Sequence, residues 1–149
     1  LGCYGDLIYL TPSRVFRYWR AGSCSPGSFG WGWMPPHPTV FVRAEVFHAC
    51  GGFRQDLGSA ADYEWLLRTM VKHEIPLEYI PRIQVAMSVG GMSNASIRAR
   101  LDANHSDRRA WELNSLQPHP WTFAFKPLRK LPQWVLAPLI PYPRDLAAD

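Results

Sequence analysis

The chain has 149 residues, 47% of them hydrophobic, and carries 16 Lys and Arg against 12 Asp and Glu, for a formal charge of +4 and a pI near 9.2. With that apolar fraction disorder is not the default reading, and the length fits one domain with a real core. The positive excess is too small and too scattered for a nucleic-acid-binding module, and no apolar run approaches the roughly 20 residues that a membrane-spanning helix needs.

The opening stretch LGCYGDLIYL has no signal-like leader and enters a strand-like run without a polar lead-in, so a cytoplasmic protein with a cut N-terminal end is expected. DLIYL (residues 6–10) and RVFRYWR (14–20) are strand candidates joined through Thr11-Pro12-Ser13, which predicts a hairpin. Residues 21–38, AGSCSPGSFGWGWMPPHP, sustain neither a helix nor a central strand, because proline lacks an amide donor and glycine favours open backbone conformations. A long loop of this kind in a compact domain is usually functional or mobile.

TVFVR (39–43) predicts a further strand, followed by a short helix AEVFHAC (44–50) that Gly51 can end with a left-handed cap. Tyr63, Leu66, Leu67, Met70 and Val71 recur at helical spacing and predict one buried face, with Glu64 and Arg68 paired on the polar side and Pro76 closing the element. LEYI (77–80) and IQVAMSV (83–89) read as two strands around Pro81. A second long helix over 94–116, capped by Ser93, carries Ile97, Leu101, Asn104, Arg108 and Trp111 on one partly buried face. From residue 118 onward lie 7 of the 14 prolines, which divides the chain into domains 1–117 and a Pro-rich apolar-basic tail 118–149. The three cysteines, Cys3, Cys24 and Cys50, lack C-x-x-C spacing and read as reduced thiols.

Asp62, in GSAADYEWLLR, admits two roles. Ser59-x-x-Asp62 has the spacing of a capping box, in which the carboxylate returns to the Ser59 amide; the same carboxylate beside a glycine-containing loop is also reachable by a ligand and able to accept a proton. His37, in MPPHPTVF, is either a surface imidazole or a hydrogen-bonding group positioned by its flanking prolines. Trp31 and Trp33 are core aromatics or an apolar platform. Gly90, Gly91 and Ser93, in VGGMSN, form an ordinary turn and cap or a weak phosphate-facing helix start. Lys126, Arg129 and Lys130 among Trp121, Phe123, Phe125, Leu128 and Trp134 suit either packing on the domain or an anionic membrane surface.

Taken in order, YGDLIYL, RYWRAG, WGWMPPHPTVFVRAEVF, GGFRQDLGSAADYEWLLR and VGGMSN resemble the C-terminal half of bacterial family 2 glycosyltransferases, over residues 4–116 and the tail segment KPLRKLPQW. The resemblance implies an α/β fold, the C-terminal portion of a GT-A type nucleotide-sugar transferase with a mixed sheet and flanking helices, its N-terminal nucleotide-binding half missing. It implies sugar transfer with inversion from a nucleotide-sugar donor to a polysaccharide or lipid-linked glycan acceptor. Asp62 would then be the general base, and His37, Pro36 and the loop of Trp33 would line the acceptor side. The divalent metal of the family, Mg or Mn, is expected with a D-x-D motif that this sequence lacks, so the isolated chain is expected to be inactive. The alternative is a noncatalytic remnant or a membrane-surface binding module, and no nucleic-acid partner is expected.

Overall fold

The computed structural model describes residues 1–25, 27–89 and 97–143, with the backbone alone for 97–104. A four-stranded mixed sheet forms one layer, and helices flank it, giving a mixed α/β fold. Strand β1 (Gly2–Leu10) is the centre: β2 (Val15–Trp19) pairs with its second half and β3 (Phe41–Val42) with its first two residues, both antiparallel. Strand β4 (Leu77–Ser88) runs parallel to β1 along its whole length, so β2 and β3 share the opposite edge.

The predicted hairpin is present, with Leu7 opposite Trp19 and Ile8 opposite Tyr18, and Thr11 and Arg14 close its turn through backbone and hydroxyl hydrogen bonds. The strand predicted over 39–43 is shorter. Thr39 and Val40 donate their amides to the Pro36 and His37 carbonyls, which folds His37–Thr39 into a 3-10 turn before β3 can begin. The two strands predicted around Pro81 are one. Between the pairs Tyr4–Tyr79 and Asp6–Ile83 the register shifts, leaving Gly5 opposite three residues of β4, and this bulge holds the proline that cannot donate to a ladder.

Helix α1 (Ala44–Cys50) matches its prediction, but Gly51 at φ 80°, ψ 165° does not take the left-handed helical cap. Helix α2 (Ala61–Leu67) continues into a π-helical turn over Arg68–Lys72. Tyr63, Leu66 and Leu67 are buried as the spacing predicts, and Met70 and Val71 pack at the edge of the same cluster. Glu64 and Trp65 are buried as well, so α2 has almost no polar face. Helix α3 (Ile97–Leu113) buries Asp107, Ala110 and Trp111, at spacings of three and four; Arg108 is exposed and leaves the predicted face. The side chains of Ile97, Leu101 and Asn104 lie outside the described set.

Two polar knots join these elements. Asp6, in the middle of β1, accepts hydrogen bonds from the Tyr18 hydroxyl (2.5 Å), the Tyr79 hydroxyl (2.8 Å) and the Ala21 amide (2.8 Å), tying β2, β4 and the following loop to one buried carboxylate. Glu64, 1% exposed, receives both Arg68 Nε (3.0 Å) and Nη2 (3.1 Å), and its Oε1 also accepts from Asn114 Nδ2 (2.9 Å). Arg68 also donates to the carbonyls of Cys50 and Gly52, so a single ion pair fastens the end of α1, the body of α2 and the residue after α3. Helices α4 (Thr122–Leu128) and α5 (Leu131–Val135), with a 3-10 turn over Ala137–Leu139, lie on this frame: Ala137 shares a small core with Ile8 and Val15, and Gln133 accepts from Arg17.

Removing one partner from a buried pair strands the other charge, which costs far more than the intact pair contributes. Glu64→Ala is therefore expected to lower stability by about 3–5 kcal/mol in urea denaturation, and Glu64→Gln, which still accepts from Asn114, by clearly less.

Candidate functional site

The start of α2 is built by backbone geometry. Gly58 sits at φ 51°, ψ −121°, a conformation that side-chain-bearing residues rarely adopt, inside the 3-10 segment Gln55–Ala60. This bend anchors Leu57 and Ala60 in the core and turns Ser59 outward. The predicted capping box consequently does not form: Ala60 is the N-cap, and no side chain caps the helix. Asp62 instead accepts the amide of the next residue, Tyr63 N–H to Oδ1, at 2.7 Å. Among the described residues no donor reaches its Oδ2, and the side chain is half-buried, not sealed.

Beneath Asp62 lies a charged pair that spans two distant parts of the sequence. Asp107 of α3, 5% exposed, meets the Lys126 ammonium at 2.5 Å, and that ammonium stands 3.6 Å above the centre of the Tyr63 ring. The Tyr63 hydroxyl accepts from Trp111 Nε1 at 2.8 Å, and burial pushes its titration upward. Burial likewise raises the Asp107 carboxyl above the usual carboxylate range; Lys126 opposes the shift, and the negative charge of Asp62 adds to it. Asp62 therefore stands near a buried carboxylate, Asp107, whose charge is offset by Lys126 in direct contact and by Lys130 at longer range. Gly32 permits this arrangement, since a Cβ there would come within 2.6 Å of the Lys126 backbone nitrogen.

His37 is carried by the 3-10 turn that packs against α2, so the His-Pro segment and the helix of Asp62 are neighbours. Thr39, fully buried, anchors the turn to β1: its hydroxyl accepts the Gly5 amide at 3.2 Å and lies 2.9 Å from the Gly5 carbonyl. The imidazole meets the Phe53 ring edge-on at 5.6 Å, and its Nδ1 is buried with no partner among the described residues. Pro36 is buried directly behind it.

Trp33 lies in the core. Its indole donates to the Ala21 carbonyl at 2.8 Å, and its ring meets Tyr4 and Phe29 edge-on. The aromatic surface beside His37 comes instead from Phe53 and Phe47, both exposed and both in contact with Trp65. Gly90, Gly91 and Ser93 lie outside the described residues. Two clefts, of about 500 Å3 along α3 near Arg108 and Arg109 and about 250 Å3 beside Asp6 and Arg20, are lined by other residues than Asp62.

Phe53, Asp107 and Lys126 have no signal in sequence spacing, because their meeting depends on how α1, α3 and α4 pack on α2. The residues around Asp62 do not fit a divalent cation: among the described residues no three His, Cys, Asp or Glu side chains converge, and Asp107 is already paired with Lys126.

A buried carboxylate whose folded titration is raised favours the folded state when protonated, and that stabilisation disappears as pH rises through the raised value. Lys126→Met is thus expected to cost about 3 kcal/mol where Asp107 is ionised and progressively less as acidification protonates that carboxyl. Adding Asp107→Asn should restore most of the loss, as a double-mutant cycle in urea denaturation would read. No protein-family model, curated protein or solved structure matches this chain.

Proposed function

We propose that the chain is the acceptor-side part of an inverting sugar transferase with Asp62 as its general base. The observation that carries this reading is the state of one carboxylate: Oδ1 is held by the Tyr63 amide, Oδ2 has no donor among the described residues, and the helix beneath is locked by Glu64 and Arg68. The ordered set of motifs resembling family 2 glycosyltransferases supplies the reaction class, and the mixed α/β fold is compatible with a GT-A type domain.

An alcohol is a weak nucleophile near neutral pH, so its proton must leave as its oxygen attacks. In the proposed step, Oδ2 of Asp62 takes the acceptor hydroxyl proton while that oxygen bonds to the anomeric carbon of the donor. The bond from that carbon to the nucleotide diphosphate breaks, and its electron pair leaves with the phosphate. In this reading His37, held between Pro36 and Pro38 and meeting Phe53 edge-on, hydrogen-bonds the acceptor, and the exposed ring of Phe53 offers an apolar face to a sugar. In this reading these residues supply the acceptor side and the base, and no step is drawn through the Mg or Mn of such enzymes.

Asp62→Asn, in the full gene product that carries this chain, is expected to lower turnover with a nucleotide-sugar donor by about 10³-fold while KM and thermal unfolding stay near wild type. Unchanged turnover would remove Asp62 from the chemistry.

A further inference from the structure

The tail shows two faces with different fates. Its inward side chains are secured: Thr122 donates to the Gly30 carbonyl at 2.5 Å, Phe123 is buried under the Arg108 guanidinium, Gln133 receives Arg17, and Ala137 sits between β1 and β2. Its outward side chains are large and apolar. Trp121, Phe125, Leu128, Leu131, Val135 and Leu139 are all exposed, the last two at 74%. These residues are thus displayed by a segment already docked through its other side.

The charge along the same segment has one sign. Between Glu112 and Asp145 the sequence contains no acidic residue, while Lys126, Arg129 and Lys130 fall among the apolar positions. Lys126 turns inward to Asp107; Arg129 and Lys130 are exposed at the junction of α4 and α5, with Arg129 Nε reaching the carbonyl of Trp31 and the Lys130 charge also felt by Asp107. Trp31, itself exposed, extends the surface by meeting Phe125 edge-on and stacking on His119.

We infer that this face is a docking surface for an anionic lipid bilayer, lying in the headgroup region with its apolar side chains inserted. Charge complementarity selects the occupant: tryptophan and leucine beside exposed cations, with no carboxylate along the segment, match an anionic interface, whereas the cores of protein interfaces are depleted in lysine. The helices are too short to span, and Pro127, Pro132 and Pro138 keep them so. This binding does not depend on sugar transfer and is read without it.

The test is cosedimentation of the 149-residue chain with phosphatidylcholine vesicles with and without phosphatidylglycerol. Binding is expected to the anionic vesicles, to weaken by about tenfold or more on removing the anionic lipid, and to fall in about 0.5 M salt. Leu128→Ser/Val135→Ser/Leu139→Ser should reduce binding by at least about tenfold with unchanged thermal unfolding. If that variant unfolds, Arg129→Gln/Lys130→Gln decides, with an expected loss of about tenfold. The inference is overturned by a wild-type chain that ignores anionic vesicles, by binding that the folded triple variant or the charge variant retains in full, or by a concentration-dependent dimer in place of vesicle binding.

Discussion

The arrangement of the helices depends on one buried ion pair. Glu64 and Arg68 lie one turn apart on α2, a spacing that on a solvated helix contributes only a few tenths of a kcal/mol. Here the carboxylate is almost wholly buried, and both partners bond beyond the pair: Asn114 donates to Glu64, and Arg68 donates to the carbonyls of Cys50 and Gly52. Such a pair adds little net stability over an apolar core, because desolvation offsets its attraction. What it imposes is geometry, since the bonds to Cys50 and Gly52 fail if α1 shifts relative to α2, and the bond from Asn114 fails if the end of α3 does. The start of α2, and with it Asp62, is held in one place.

The second constraint is the tail, which joins the candidate site instead of trailing from the domain. Lys126 reaches past the Tyr63 ring to Asp107 and offsets a buried negative charge that Asp62 would otherwise repel unopposed. In a low-dielectric setting, this ammonium keeps Asp107 from being an isolated buried anion. The same segment presents its apolar-basic face outward, so residues 118–143 link the interior of the site to the outer surface. Among the described residues no helix is long and apolar enough to cross a membrane, and the proposed lipid contact is interfacial.

Local patterning made much of the fold legible. The hairpin followed from two aromatic-rich runs around a Thr-Pro-Ser turn, and α1 and α2 from apolar spacing. The failures have physical causes. The capping box was lost because Gly58 bends the backbone and swings Ser59 away, a torsion that residue identities do not specify. Pro81 looked like a break but was absorbed by a bulge against β1. Glu64 looked solvated because its partner Asn114 is distant in sequence. Asp62 and His37 are candidates from their local settings in the sequence, whereas Lys126, Asp107 and Phe53 come near them only through tertiary packing.

The central claim is a contrast between carboxylates: Asp62 is open, and Asp6, Glu64 and Asp107 are enclosed by their donors. Carbodiimide coupling of an amine to the native chain, read by peptide mass spectrometry, measures that contrast directly. The account predicts label on Asp62 and protection of Asp6, Glu64 and Asp107 until denaturant unfolds the chain. An unlabelled Asp62 in the native protein, or equal labelling of all four, would contradict it.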